Sequence, residues 1–398
     1  MRKYDCIVIG TGGVGSAALY HLASRGVRTL GIDRFPPGHD RGSSHGDTRI
    51  IRLAYFEHPS YVPLLRRAYQ LWAELAERCG QQLYHETGLL QLGHPTGEVV
   101  PGVLRSAREH NLAVEELTAS EVERRFPGFR VPASMTAVFE RCAGYLKVEA
   151  CVLAYVQEAS ERGAEVCSGE AVLGWRADGS GVVVTTDKAH YAAARLLITP
   201  GAWAADLLSD LGVRFTVRRK SLFWYTASPV YSAAQGCPIF LYETPTGVFY
   251  GYPQIDHFGL KVAEHSGGQV VTDPLTVNRE IDPQDKRRVE DFLAGHLPDA
   301  SRTLRKHVVC LYTMSPDGHF VVDRHPRHPQ VAFVAGLSGH GFKFACVLGE
   351  ILTELTLDGR TNAPIEFLAC DRKRSGLTRS DPPPHAASGG GGSSCSTK

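Results

Sequence analysis

The chain has 398 residues, 43% hydrophobic and 21% charged, an ordinary globular composition with length enough for two domains. Forty-three basic residues stand against 42 acidic ones, net +1, which argues against a nucleic-acid partner, and no apolar run approaches the roughly 18–20 residues of a membrane span. Ten cysteines without a CxxC pair argue against a disulfide scaffold and against a common zinc site, so no metal centre is expected and most thiols should be buried in a reducing cytoplasm.

From the N-terminus, Met1-Arg-Lys leads straight into an apolar strand over 4–9, with no signal-peptide pattern. Gly10, Gly12 and Gly15 follow in GxGxxG spacing, then a helix over 16–25 and a second strand over 27–32 that ends in Asp33. Strand, turn, helix and strand make a βαβ unit. Its glycines permit a tight turn and close approach of a pyrophosphate to the helix N-terminus. An acid about 20 residues on can bind ribose hydroxyls and disfavours a 2′-phosphate, so FAD or NAD is expected rather than NADP.

The run Gly42-Ser-Ser-His-Gly-Asp-Thr-Arg-Ile-Ile-Arg52 is a basic loop, and arginine suits a carboxylate because its planar fork binds two oxygens at once. Amphipathic helices are expected over 63–78 and 147–162, with strands over 182–187 and 195–199. Between 217 and 275 the pattern changes to short aromatic and β-branched strands, over 221–227, 239–242, 247–252 and 260–263, as in an antiparallel sheet. Lys261 interrupts the last of these, and such a break often marks function. A buried strand over 331–335 and a helix of about 15 residues ending near 357 return to the first pattern. The expectation is therefore α/β plus α+β. A Rossmann-like dinucleotide domain of 1–85, 140–216 and 310–370 interleaves with an antiparallel-sheet substrate domain of 86–139 and 217–309, and a flexible Pro/Gly/Ser-rich tail follows over 371–398.

GSSHGDTRIIR, with Cys310-Leu-Tyr-Thr-Met-Ser-Pro-Asp-Gly-His-Phe and Gly336-Leu-Ser-Gly-His-Gly-Phe-Lys-Phe, resembles the monomeric sarcosine oxidase family, in matching order over roughly residues 3–370. The resemblance implies an FAD domain of glutathione-reductase type and FAD held covalently by an 8α-S-thioether to Cys310, with Thr48, Gly339 and Gly341 among the cofactor contacts. It places Arg52 and Lys343 on the substrate carboxylate and Tyr250 and Tyr312 in the pocket wall. His265 falls near the substrate amine, Lys261 near flavin N5 where oxygen reacts, Arg49 on the other flavin face, and His45 in the same loop.

The implied reaction oxidises the C–N bond of a small secondary amino acid, foremost sarcosine to glycine, formaldehyde and hydrogen peroxide, in a monomer whose partners are the amino acid and oxygen. N-methyltryptophan, pipecolate, proline and fructosyl amino acids are alternative substrates, and a dehydrogenase with a non-oxygen acceptor is an alternative reaction. The chain departs from the family pattern at Gly318, where many relatives have an acid, and at Ser44, where a histidine is common. Glu264 is expected to add negative charge beside the site.

Overall fold

The computed structural model describes residues 2–372. Among them three sheets form, of eight, nine and three strands. Arg2–Ile9 lies inside the first, parallel to Thr29–Asp33 on one side and to His190–Ile198 on the other. Its second half, 6–9, is paired on both edges and covered on both faces, which explains the continuous hydrophobic run there, while Lys3 and Asp5 are exposed. The helix Gly13–Ser24 leaves its carboxyl end and packs against Val148–Glu161 and Ala345–Leu357. His328–Ala335 joins the same sheet beside His190–Ile198, so the chain's last third returns to its first sheet.

The second sheet is built on Thr216–Ala227, which pairs antiparallel with Ala300–Met314 and with Leu260–Glu264. Gly247–Tyr252 continues it on the far side of Leu260–Glu264. Its face toward the cavity described below is aromatic. In the small third sheet Thr48–Ile51 lies antiparallel to Gly144–Lys147, which fixes the basic loop at 42–52. No described helix is long and apolar enough to cross a membrane.

Several expectations need correction. The helices Val99–His110 and Pro283–His296 were not expected. The first carries Pro101 and Gly102, which disguise its periodicity, and the second buries only Val289, Phe292 and Leu293. Ala300–Met314 is a 15-residue strand whose first half is polar and partly exposed, so only its second half reads as strand. The expected domain borders at 85/86 and 309/310 fall inside the strands Tyr84–Glu86 and Ala300–Met314. The expected tail begins too early, because Arg372 is buried on Asp317, with Nη2 2.6 Å from Oδ1 and Nε 2.8 Å from Oδ2. Residues 373–398 lie outside the described residues.

Candidate active site

A cavity of about 480 Å³ runs from the glycine turn at the carboxyl end of Arg2–Ile9 to the aromatic face of the second sheet. At the first end Gly10 adopts φ +84°, and a Cβ there would stand 2.4 Å from the Thr199 carbonyl oxygen. A Cβ on Gly15 would stand 1.8 Å from the Gly10 oxygen, so only glycine closes this turn. Gly12 has nothing nearer than Ser44 Oγ at 3.7 Å and opens to the cavity. Ser44, the departure from histidine, accepts the Gly13 N–H at 3.1 Å and ties the basic loop to the glycine turn. Asp33 accepts the Thr11 N–H at 2.7 Å and the Phe35 N–H at 3.0 Å, which orients its carboxylate at the cavity wall. A glycine turn closed by backbone, a helix N-terminus at the cavity wall and an oriented acid form a cradle that fits a dinucleotide.

The other end is a cationic chamber walled by aromatic rings. Arg49, Arg52, Tyr250, His265, Tyr312, Gly339, Gly341 and Lys343 all line the cavity. Lys343 sits in a short 3-10 turn, Phe342–Phe344, just before the last long helix rather than in it. Its Nζ donates to the His340 carbonyl at 2.8 Å. Burial, with the Arg52 charge nearby, pulls its pKa down to about 7. Arg52 Nη1 donates to Gln91 Oε1 at 2.8 Å, and Nη2 contacts both oxygens of Glu57. Arg52 Nε is buried without a partner. The ring of Tyr55 lies under both cations, 4.6 Å from Arg52 Cζ and 5.2 Å from Lys343 Nζ. His265 Nδ1 stands 3.4 Å from Tyr312 Oη. Burial and then the Lys220 charge hold that ring neutral, with a pKa near 3.

Four expected residues stand behind this wall instead of lining it. Cys310 is buried, with Sγ 3.3 Å from Arg49 Nη2. His45 is buried with Nε2 3.1 Å from the Gly42 oxygen, and burial pushes its pKa down to about 3. Thr48 and Lys261 are joined, Nζ to Oγ1, at 2.9 Å. Glu264 corrects an expectation: it pairs with Arg288, Nε to Oε2 at 2.7 Å, on the opposite side of its strand from the chamber.

Sequence reasoning missed Glu57, Gln91, His340 and Lys220. Glu57 and Gln91 hold Arg52 from a turn and from a neighbouring strand, a relation no local spacing encodes. His340, inside a quoted motif, binds Tyr55 Oη through Nδ1 at 2.6 Å. Lys220 donates to the Ser266 oxygen at 2.6 Å behind Tyr312. It ends a basic run, Arg218-Arg219-Lys220, just before the strand expected over 221–227, so no break in an apolar pattern marked it as one marked Lys261.

Away from the cavity, Asp210, His325 and His328 bring possible ligand atoms within 4.8 Å of one another. Their hydrogen bonds are already committed. His325 Nδ1 accepts the Arg327 N–H at 3.3 Å, so Nε2 carries the proton and gives it to Asp210 at 3.0 Å, and the Arg327 guanidinium also holds Asp210. A cation would have to displace both that proton and that guanidinium.

A dinucleotide cradle that opens into a cationic, aromatic chamber between two interleaved sheets defines a flavin-dependent oxidoreductase. The family described as FAD dependent oxidoreductase matches residues 5–355. A monomeric sarcosine oxidase of Streptomyces avermitilis is 43% identical over 370 residues, 91% of this chain and 96% of the relative. An N-methyl-L-tryptophan oxidase of Yersinia pestis is 38% identical over 369 residues, 92% and 98% of the two chains. The solved structure of NikD, an unusual amino acid oxidase essential for nikkomycin biosynthesis, superposes with a TM-score of 0.82 at 26% identity, covering 93% of this chain and 98% of that one. The chain belongs to the FAD dependent oxidoreductase family, among the monomeric sarcosine oxidases and N-methyl-L-tryptophan oxidases.

Proposed function

We propose that the protein oxidises the C–N bond of a small secondary amino acid, sarcosine foremost, with oxygen as acceptor. The observation that carries this reading is the pairing of Arg52 and Lys343 at the chamber end of the FAD cavity. Two cations fixed in one apolar wall suit a single carboxylate leaving water. FAD, when bound, takes two electrons and a hydrogen from the carbon beside nitrogen and passes them to oxygen. With sarcosine, oxygen and water the products are glycine, formaldehyde and hydrogen peroxide.

The chain's residues supply the rest. Arg52 and Lys343 fix the carboxylate and so orient the amine. Tyr250 and Tyr312 exclude water from the chamber. His265, neutral at working pH, offers a lone pair to the proton that a substrate ammonium must lose before its nitrogen can be oxidised. The buried ammonium of Lys261 is the charge assigned to oxygen reduction, with Arg49, His45 and Thr48 forming the loop that carries it.

Covalent attachment of FAD through Cys310 belongs to the same reading. It is supported by the thiol's place against Arg49, which itself lines the cavity. So do the two-domain division, with segments near 1–85, 140–216 and 310–370 carrying FAD, and the monomeric state. The nine described cysteines are all free, which supports a cytoplasmic, reducing location.

The test is twofold. Acid-precipitated protein should keep its yellow colour in the pellet, and Cys310→Ser should release it to the supernatant. A peroxide assay over sarcosine, N-methyltryptophan, pipecolate, proline and fructosyl-glycine should rank sarcosine first by kcat/KM. Substrate reduction without peroxide would favour the dehydrogenase alternative.

A further inference from the structure

Lys261 is held by a cage of oxygens. Its Nζ lies 2.6 Å from the Gly46 oxygen, 3.0 Å from the Thr48 oxygen and 2.9 Å from Thr48 Oγ1. Three acceptors match the three hydrogens of an ammonium, whereas a neutral amine has only two to give. Burial pulls the lysine's pKa well below its ordinary value, and the cage opposes that pull. The rings of Tyr252 and Trp224 complete the enclosure, 4.5 and 5.1 Å from Nζ.

The cage is a strained piece of backbone. Gly46 and Asp47 are consecutive left-handed residues, at φ +85° and +69°, and a non-glycine residue there persists only when its surroundings hold it. The holder is Glu149, in the first turn of the helix Val148–Glu161. Its Oε1 accepts both the Gly46 N–H, at 2.7 Å, and the Asp47 N–H, at 3.2 Å. The residue before it, Val148, donates its N–H to the Asp47 oxygen at 3.0 Å. From the other side Lys306 pairs with the Asp47 carboxylate at 2.7 Å.

We propose that Glu149 is a positioning residue for Lys261: by pinning two successive N–H groups of the 46–47 turn, it aims the Gly46 and Thr48 oxygens at the lysine and so fixes the charge that serves oxygen reduction. This rests on the role proposed above for Lys261. Glu149 makes no hydrogen bond to the lysine and does not line the cavity; its negative charge also favours the lysine's ammonium form, and the glutamine variant below separates that charge from the geometry of the turn.

Stopped-flow measurement of the two half-reactions of the holoenzyme tests this. Glu149→Ala should slow reoxidation of the reduced enzyme by oxygen at least tenfold while the rate of reduction by sarcosine stays within twofold of wild type. Glu149→Gln keeps the acceptor oxygen without the charge and should stay within threefold of wild type in both. In a Lys261→Met background, Glu149→Ala should change reoxidation no further. If Lys261→Met is slow with oxygen and Glu149→Ala is not, the proposal for Glu149 fails alone. If Lys261→Met itself reoxidises at the wild-type rate, the reading of Lys261 fails and takes this one with it. An equal loss in both half-reactions for Glu149→Ala, or a Gln variant as slow as the Ala variant, would also overturn positioning by geometry.

Discussion

Arg52 turns one nitrogen, Nη2, onto both oxygens of Glu57, at 2.7 and 2.6 Å. The guanidinium proposed to hold the substrate carboxylate therefore already has a carboxylate, and the two compete. Glu57→Gln removes the competitor's charge and keeps its shape. It should tighten binding of a small carboxylate such as acetate about threefold to tenfold, on the order of 1 kcal/mol, read from the perturbed flavin absorbance. Unchanged or weaker binding would move the carboxylate away from Arg52.

Lys343 gives the same binding a pH dependence. Its pKa is pulled down to about 7, so the protein loses this charge as pH rises through 7, while an anionic ligand binds the charged form. The dissociation constant of acetate should rise with pH above 7, by up to about tenfold per unit. Lys343→Met should bind more weakly at pH 6 and lack this rise. Titrations at pH 6, 7 and 8 decide it.

At the cradle, Gly15→Ala places a methyl 1.8 Å from the Gly10 oxygen, a contact only backbone movement can relieve. The variant should lose about 1–3 kcal/mol of stability. Its flavin-to-protein absorbance ratio should fall with it. Gly26→Ala is the contrast: no atom lies within 4 Å of the added Cβ, though φ is +73°, so a modest loss of stability with full flavin content is expected.

Asp317 and Arg372 tie the end of the described chain to the loop after Ala300–Met314. Burial raises the Asp317 pKa, but the hydrogen bonds and charge of Arg372 outweigh it and bring it down to about 2 from 3.8. A carboxylate depressed on folding stabilises the fold fully above its ordinary pKa, and that contribution is lost as pH falls through the folded value, here between about 4 and 2. Arg372→Met leaves the partly buried carboxylate without its ion-pair partner, though the His319 N–H still reaches it at 3.1 Å, and should cost about 2 kcal/mol at pH 7. The difference in Tm between the variant and wild type should shrink as pH falls toward 2.

The parts of this fold legible in the sequence are the ones with local causes. Glycine spacing and two apolar runs sufficed for the βαβ unit at 2–33, because turn geometry and burial on both faces act within a few residues. That Arg52, Lys343, Tyr250 and His265 share one cavity was legible only through the family resemblance, since nothing local brings a loop at 52 to a turn at 343. Glu149 and Glu57 carry no such mark: each acts on a backbone or side chain it meets through folding alone. Glu264 was misread by adjacency. One step along a strand turns a side chain to the opposite face, so the residue before His265 points away from the chamber toward Arg288. Lys220 ends the basic run 218–220, before the strand expected over 221–227, so it broke no apolar pattern and was passed over.

The cavity takes residues from Ile9 through Ala345, which sets a timetable for maturation. The glycine turn leaves the ribosome well before the wall that faces it, at 334–345, which is about 330 residues behind. At roughly 5–20 residues per second that is about 15 to 65 seconds of synthesis. Throughout that time the nascent chain has a phosphate cradle without a lid, and the helix Ala345–Leu357 that backs Gly13–Ser24 does not yet exist. Flavin loading is thus a late step, and a cell that makes this protein faster than it supplies FAD accumulates complete chains whose central cavity is still empty.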